Sequence, residues 1–311
     1  MRETSSLLPA GLLLLERGWL SSNNLVCLGR DHTAVIDTGY ASHAAQTVTL
    51  VQHALAGRAL DAIVNTHLHS DHCGGNAALQ QAYPAARTLI PPGEAQAVAD
   101  WAVDALSYET TGQTCPRFRW DVLMHPGSTV ALGDVEFEVH AAPGHDPHAV
   151  LLFAPQHRLL VAGDALWRNG FGLVFPELHG QPGFDEVEAT LDLIERLAPR
   201  VVVPGHGPAF AEVDAALAEA RRRLQGYRSD PPRHARHAVK VLIKFKLMEL
   251  QRADLAGFID WALGTGHVRD IHERFFASLP LRGWVQDLLQ ELQASGAVRI
   301  DGTRICEPSS V

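Results

Sequence analysis

Short apolar runs that end in polar turns alternate with helical periodicity along most of the chain. The segments at residues 24–28, 34–36 and 62–65 are apolar and contain β-branched side chains, which predicts buried strands. Apolar positions at helical spacing occur at residues 41–56 and 92–106. Strands that alternate with helices in this way predict an α/β protein.

Several of these apolar runs lead into short polar motifs. The run at residues 62–65 leads directly into Thr66-His67-Leu68-His69-Ser70-Asp71-His72. Later predicted strands are followed by three more motifs, Pro143-Gly144-His145, Gly163-Asp164 and Pro204-Gly205-His206-Gly207. Strand ends are where functional groups gather on rigid supports, so these motifs carry the candidate functional residues.

The segment from His67 to His72 carries four metal-binding side chains within six residues. Imidazole and carboxylate groups suit zinc, iron or manganese. On a loop directly after a strand, these side chains can point alternately toward two neighbouring ions, and no helix face is needed. Four ionisable groups beside a buried strand would otherwise carry a desolvation cost with no compensation. The segment therefore predicts a metal site.

With these four motifs in this order, the sequence resembles the metallo-β-lactamase superfamily over roughly residues 10–220. The resemblance implies an αββα sandwich with two divalent transition-metal ions at one edge. Zinc fits best, and iron or manganese also accept the ligand types. The implied ligands are His67, His69 and His145 for the first ion and Asp71, His72 and His206 for the second, with Asp164 bridging the two.

The chemistry implied by the resemblance is hydrolysis by a hydroxide that bridges the two ions. Two divalent ions about 3.5 Å apart share a water, lower its pKa toward neutrality and polarise the oxygen under attack. Asp71 is the implied catalytic residue, because it holds the second ion and accepts a hydrogen bond from the hydroxide. Asp37, and His148 three positions after His145, are predicted to orient the ligands. For Asp37, the alternative is a turn-stabilising role.

Two neighbouring residues leave further alternatives. Cys73 adjoins His72 but is predicted to pack, because the ligand set of the second ion is already filled. β-Lactamases with a metal-binding cysteine place it where this chain has Asp164, which disfavours antibiotic hydrolysis. Trp167 follows Asp164 and is a candidate either for the wall of the pocket or for the core.

A change of character near Gly226 predicts two domains. A polar, basic stretch interrupted by Pro231 and Pro232 indicates a linker after a helix. We therefore predict a metallo-β-lactamase-fold catalytic domain at residues 1–226 and a second domain at residues 227–311.

The predicted second domain is small and mainly helical. Helices at residues 237–251, 255–263 and 281–293 precede a hairpin with an Asp301-Gly302 turn, which is a winged-helix pattern. The pattern resembles the extension of the lactamase-β-like subgroup, whose members include an endoribonuclease and thioesterase-like hydrolases. The glyoxalase II branch instead carries an all-helical tail.

Composition and charge limit the partners and the location. The chain has 311 residues and a net charge of −9, which disfavours a uniform electrostatic grip on nucleic acid. Positions 221–250 are a local exception, since they contain nine basic and only two acidic residues. This basic stretch is either a solvated helix face or a contact for an anionic substrate tail or for RNA. The four cysteines show no C-x-x-C spacing, and no segment approaches the roughly 20 apolar residues of a membrane span. A cytoplasmic protein without a membrane partner is therefore expected.

Three hypotheses for the function follow. The leading one is a metal-dependent hydrolase of a small anionic ester or thioester, such as an acyl-thioester or a hydroxyacylglutathione-like compound. The second is an endoribonuclease of the lactamase-β-like type, which the acidic net charge disfavours. The third is a non-catalytic metal-binding regulatory protein, and the complete ligand set counts against it. Formation of a homodimer is left open.

Overall fold

The computed structural model describes residues 7–308 of the chain. These residues separate into two compact units. The first comprises the described residues of Met1–Leu106 together with Thr114–Gly226, and the second comprises Ser107–Gln113 together with the described residues of Tyr227–Val311. The predicted catalytic and winged-helix-like domains stay predictions, because compactness does not tell what either unit does.

The first unit contains two sheets, and the first sheet has six strands among the described residues. In their order across the sheet they are β1 (Leu12–Leu15), β2 (Asn24–Leu28), β3 (Thr33–Ile36), β4 (Ala62–Val64), β5 (Arg87–Ile90) and β6 (Val122–Leu123). Strands β1 to β3 are antiparallel, and strands β3 to β6 are parallel. Because β3 and β4 run in parallel, the residues that follow them lie side by side, and Asp37 N donates a hydrogen bond to Val64 O over 2.8 Å.

The second sheet has five strands within residues 7–308, in the order β11-β10-β9-β8-β7. They are β7 (Thr129–Leu132), β8 (Val135–Ala141), β9 (Val150–Ala154), β10 (Leu159–Gly163) and β11 (Val201–Pro204). All neighbours are antiparallel except β10 and β11, so the ends of these two strands meet, and Gly205 N donates to Gly163 O over 2.7 Å. Val150 N donates to Thr66 O over 2.9 Å and joins this sheet to the segment after β4. The polar motifs thus meet at one edge of the two sheets.

Helices and sheets form layers around an apolar core. The helices up to residue 229 are α1 (Ala44–Leu55), α2 (Ser70–Cys73), α3 (Asn76–Ala82), α4 (Ala95–Asp100), α5 (Phe175–Leu178), α6 (Gly183–Leu197) and α7 (Val213–Ser229). Successive residues of a strand point to opposite faces of a sheet. In β2, Leu25 and Cys27 belong to the core shared by the two sheets, whereas Val26 packs with Val51 and Leu55 of α1. The predicted α/β class is confirmed.

The second unit is mainly helical. Its elements are α8 (Pro231–Leu250), α9 (Leu255–Gly264), α10 (Gly266–Phe275), α11 (Leu281–Ala294), β12 (Arg252–Asp254), β13 (Arg299–Asp301) and β14 (Arg304–Cys306). The three strands form an antiparallel sheet in the order β12-β14-β13. The sequence did not predict α10, since two of its four buried positions are His267 and His272 and weaken the apolar periodicity. The winged-helix assignment stays a prediction.

The prediction of a linker near Gly226 is wrong. Helix α7 continues through Gly226 to Ser229, and α8 begins at Pro231. Proline is well tolerated in the first turn of a helix, where its missing amide hydrogen would have no partner within the helix. Asp230 caps α8 by accepting a hydrogen bond from Arg233 N over 3.2 Å. The prolines therefore mark the start of a helix.

Helix α4 is shorter than the predicted helix at residues 92–106. A 3-10 turn at Pro92–Glu94 precedes it, and Trp101, at φ 59°, adopts the left-handed conformation that ends it. Within residues 7–308, no helix combines the length and the apolar character needed to cross a membrane.

Candidate metal centre

Helix α2 places two predicted ligands on a helical turn. His67 and His69 lie in the segment after β4, and Asp71 and His72 belong to α2, which begins at Ser70. The prediction of a loop is therefore wrong for residues 70–73, whereas residues 65–69 are in a loop as expected. Adjacent residues on a helix diverge by about 100°, so Asp71 and His72 reach the site from different directions.

Three histidine nitrogens converge in the first part of the site. His69 Nδ1 lies 3.1 Å from His67 Nε2 and 2.8 Å from His145 Nε2. Nitrogens bound tetrahedrally to one zinc ion at about 2.0 Å are roughly 3.3 Å apart. The observed spacing is close to that value, so these histidines could hold one ion. A hydrogen bond between the other ring nitrogen of His145 and the carbonyl of Leu173 fixes the orientation of this ring.

A second group of possible ligands consists of Asp71, His72 and His206. His206 Nε2 lies 3.1 Å from Asp71 Oδ2, and His72 Nε2 lies 4.0 Å from the same oxygen. Both histidines are buried, whereas 14% of the Asp71 side chain is exposed. Asp71 is therefore the member of this group most open to an incoming molecule.

Asp164 lies between the two groups. Its Oδ1 is 3.4 Å from His72 Nε2 and 3.8 Å from His206 Nε2. Its Oδ2 is 3.5 Å from His145 Nε2. Each oxygen thus faces a different group, which is the arrangement of a bridging carboxylate. Trp167 Nε1 donates a hydrogen bond of 3.1 Å to Oδ1 and holds the carboxylate in this orientation.

Glycines allow the backbone to approach these side chains closely. A Cβ atom on Gly205 would lie 2.2 Å from Asp164 Oδ1, and one on Gly172 would lie 2.5 Å from His145 Nδ1. Side-chain atoms cannot be accommodated at such distances without displacing a possible ligand. Gly205, in the motif that ends β11, is therefore needed for packing against the site.

Asp37 is hydrogen-bonded to His72. Its Oδ2 lies 2.8 Å from His72 Nδ1. An ionised carboxylate only accepts hydrogen bonds, so Nδ1 carries a proton, and Nε2 is the ring nitrogen that would bind a metal ion once the ring is neutral. Asp37 also accepts hydrogen bonds from Thr66 N (2.9 Å) and Thr66 Oγ1 (2.8 Å), next to His67. Asp37 therefore orients His72 directly, and through Thr66 it holds the backbone next to His67.

Asp146 is a residue of the site that the sequence reasoning missed. Its Oδ2 lies 3.6 Å from His69 Nε2, the ring nitrogen that faces away from the other histidines. Its Oδ1 accepts a hydrogen bond of 2.7 Å from the backbone N of His148. His148 itself is exposed, and the predicted orienting role of its ring stays a prediction. An acidic residue directly after His145 was the signal that could have found Asp146.

Burial keeps the histidines of the first group neutral. It lowers the pKa of His69 and of His145 to about 4. Burial, together with repulsion from His72 and the other two rings, lowers the pKa of His67 well below its ordinary value. Neutral imidazoles are the form that binds metal ions.

The second group is dominated by negative charge. Burial alone would lower the pKa of His72, but three nearby carboxylates raise it well above its ordinary value. Burial alone would raise the pKa of Asp164, but His72, His206 and His145 hold it well below its usual range. The pKa of Asp71 is also lowered, since its histidine partners outweigh burial. A bound cation would neutralise this charge.

The donor set fits divalent transition-metal ions. Neutral imidazoles and ionised carboxylates suit zinc, iron and manganese. The buried Nε2 of His72 has no hydrogen-bond partner of ordinary geometry among the described residues, and Asp164 Oδ1 lies 3.4 Å away. A buried nitrogen without a hydrogen bond is costly unless another group binds it.

Aromatic rings lie against the possible ligands. Trp167 meets His206 edge to face at 5.5 Å between ring centroids, and Trp19 stacks on the same imidazole at 5.5 Å. Phe175 meets His69 edge to face at 5.4 Å. The sequence left Trp167 open between wall and core, and the structure places it at the site. Nothing in the sequence indicated Trp19 and Phe175, which lie outside the four polar motifs and carry no motif of their own.

Cys73, next to His72 in the chain, is buried. Its Sγ lies 3.3 Å from the carbonyl oxygens of both Leu68 and His69 and 3.8 Å from Cys115 Sγ. Among residues 7–308, no group of possible metal ligands includes Cys73. These contacts agree with the packing role expected for this thiol.

Comparison with known proteins establishes the family of the chain. Residues 17–206, more than half of its length, match the Metallo-beta-lactamase superfamily. The chain belongs to this superfamily. Its proteins bind divalent metal ions, typically two, which agrees with the donor set.

Individual relatives add detail. A hydroxyacylglutathione hydrolase of Anaeromyxobacter dehalogenans (strain 2CP-C) is 34% identical over 157 residues, which cover 50% of this chain and 51% of the relative. The crystal structure of the metallo-beta-lactamase family protein TTHA1429 from Thermus thermophilus has a TM-score of 0.58 and 19% identity and covers 96% of this chain and 99% of that one. TTHA1623 in a di-iron-bound form has a TM-score of 0.53 and 26% identity over 67% of this chain and 98% of its own. The chain spans about half or less of the length of the curated relatives it matches.

Proposed function

We propose that this protein is a metal-dependent hydrolase of small thioesters that binds two divalent transition-metal ions in its first unit. The observation that carries the proposal is the position of Asp164, whose two oxygens face two different groups of possible ligands. The proposed ligands are His67, His69 and His145 for one ion and Asp71, His72 and His206 for the other, with Asp164 shared. All of them precede residue 207, so residues 1–226 are the proposed catalytic domain.

The protein side chains supply the positioning for hydrolysis. Two divalent ions held there would lower the pKa of bound water toward neutrality and polarise a carbonyl oxygen under attack. Asp71, partly exposed, accepts the hydrogen bond of the attacking water and so fixes the direction of attack. Asp37 keeps the proton of His72 on the ring nitrogen that faces away from the site. Asp146 lies on the outer side of His69 in the corresponding place.

Three considerations favour a thioester. The relative at 34% identity is named for hydrolysis of hydroxyacylglutathione, in which an acyl group is joined to sulfur. Attack on a carbonyl carbon suits a site in which a partly exposed carboxylate, Asp71, belongs to one of two neighbouring groups of possible metal ligands. A thioester carbonyl is more electrophilic than that of an oxygen ester, because sulfur donates less electron density to it.

The ribonuclease alternative gains no support from the basic stretch. Arg221 forms ion pairs with Asp192 and Glu195, at 2.7 Å and 2.9 Å. In the second unit, Lys240 lies 3.2 Å from Glu291. Basic side chains that already face carboxylates in this way attract phosphates less.

Zinc remains the first choice for the ions, with iron and manganese as the alternatives that the same ligands accept.

A side-by-side assay tests the proposal. Full-length protein would be loaded separately with zinc, iron or manganese, and metal content would be measured by elemental analysis. The expected result is two ions per chain and turnover of acyl-thioesters, with none of single-stranded RNA or a β-lactam. Asp71→Asn should lose turnover, while Asp134→Asn, in an exposed hairpin turn, should retain it. Cleavage of RNA alone, or turnover that survives complete removal of metal, would overturn the proposal.

A further inference from the structure

Trp19 combines an exposed ring with a contact to a possible metal ligand. Its side chain is 58% exposed, the most exposed of the large hydrophobic side chains in the described part of the chain. One face of the indole stacks on the His206 imidazole, with 5.5 Å between centroids and 10° between planes. An exposed aromatic face beside a catalytic centre is a candidate contact for a substrate.

The backbone after Trp19 is joined to the segments that carry the possible ligands. Ser22 N donates to Asp71 O over 2.9 Å, and Asn23 N donates to Gly205 O over 2.7 Å. Trp167 meets Trp19 edge to face at 5.4 Å and 70°. The Trp19 ring is thus preorganised in relation to the site, and a ligand that binds it loses less free energy to ordering.

The surroundings of Trp19 favour an apolar planar group over an anionic one. The cation in the same loop, Arg17, directs its guanidinium to the side-chain oxygens of Asn24, Thr47 and Gln46. That guanidinium therefore already has partners, and Trp19 presents a π surface. Aromatic rings pair best in offset-stacked or edge-to-face geometry at about 4.5–7 Å.

We propose that Trp19 forms a subsite for a planar aromatic acyl group of the thioester, an inference that rests on the proposed function. The carbonyl carbon would lie at the metal ligands, and Trp19 stacks on one of them, His206, so an aryl group attached to that carbon would lie within reach of the indole. Glutathione, the thiol portion of the compound for which the 34%-identical relative is named, is polar and anionic and suits the Trp19 surface less well. Trp19 is therefore a specificity-determining residue.

The test compares benzoyl and acetyl thioesters of the same thiol. The ratio of their kcat/KM values is measured for the zinc-loaded full-length protein, Trp19→Ala, Trp19→Phe and Leu13→Ala, with metal content determined for each. Leu13 is an exposed apolar residue on the strand before the Trp19 loop, and its variant is expected to keep the wild-type ratio. Trp19→Ala should lower the benzoyl-to-acetyl ratio about fivefold to tenfold, as expected for the loss of one aromatic pair. Trp19→Phe should restore most of it.

A second readout does not depend on turnover. Benzoate should change the intrinsic tryptophan fluorescence of the wild-type protein at concentrations at which acetate does not, and Trp19→Phe should remove this change. An unchanged ratio in Trp19→Ala, or an equal loss for benzoyl and hexanoyl thioesters, would overturn the aromatic subsite. If the wild-type protein hydrolyses none of these thioesters, the proposed function fails instead, so the two failures are distinguishable.

Discussion

Replacing Asp37 with asparagine should weaken one of the two metal sites selectively. The change is isosteric, but it replaces one acceptor oxygen with an NH₂ donor. Thr66 N still finds an acceptor in the remaining amide oxygen, and the Thr66 hydroxyl can rotate to accept instead of donating. His72 cannot adapt in this way, because its protonated Nδ1 would face a donor over 2.8 Å. The favoured response places the proton of the neutral ring on Nε2 and removes the lone pair that would bind a metal ion.

The hydrogen bond that is lost sets the expected decrease in metal affinity. Loss of one hydrogen bond to a charged group costs about 1.5–3 kcal/mol, and about 1.4 kcal/mol corresponds to a factor of ten in affinity. Partners that orient metal-bound histidines are typically worth a factor of about 10–100 in metal affinity. The affinity for the ion that His72 would hold should therefore fall by about 10–100-fold. His145 is oriented independently by the carbonyl of Leu173, so the other ion should be affected much less.

Titration of metal-free protein with zinc against a chromophoric chelator would give the two dissociation constants. Thermal unfolding of the metal-free proteins would show whether Asp37→Asn folds normally, and Asp134→Asn serves as a matched exposed change. Two unchanged constants, or equal weakening of both, would refute the argument from the His72 tautomer.

Three further predictions follow from the same contacts. Elemental analysis of Asp164→Ala should show loss of metal from both sites, because each oxygen of Asp164 faces a different group of possible ligands. Cys73→Ala should keep two ions, since the sulfur of Cys73 faces backbone carbonyls. Retention of both ions by Asp164→Ala would contradict the bridging role of Asp164. Gly205→Ala should lower metal occupancy and destabilise the protein by about 1–3 kcal/mol in urea unfolding, because its Cβ would lie 2.2 Å from an Asp164 oxygen; wild-type values would refute this. Burial and repulsion from Asp146 raise the pKa of Glu94 from 4.5 to about 8, so its contribution to stability is complete below pH 4.5 and is lost as the pH rises through 8. The unfolding free energy of Glu94→Gln relative to wild type, measured on metal-free protein, should therefore rise between about pH 5 and 8, and a pH-independent difference would contradict the assignment.

The possible ligands could be predicted because each follows an apolar run or lies in a short motif. Residues just after β4, β10 and β11 reach one edge once these strands are placed in sheets, so His67, Asp164 and His206 converge. What the motifs did not indicate was local geometry. The turn of α2 was expected to be a loop, since four residues are too few to show helical periodicity.

The boundaries of helices were least predictable where the same residue type is common in two kinds of structure. Pro231 and Pro232 are typical of linkers, yet the N-terminal turn of a helix accepts them equally well. Asp146 lies outside the motifs that the sequence singled out, and its place beside His69 depends on a fold that brings distant segments together. Propensity and spacing are local, whereas these outcomes depend on tertiary contacts.

The aromatic residues at the site show how far motif reasoning extends. A metal ligand is recognisable because few side chains can bind an ion, and their spacing reflects that demand. A substrate-contacting ring has no such restriction, since tryptophan and phenylalanine serve equally in the core. Trp19 could be separated from core aromatics only by its 58% exposure together with its stacking on His206, and neither property can be read from the sequence. In a superfamily that shares its ligand motifs, differences in substrate therefore have to be sought in residues such as Trp19, which the motifs do not include.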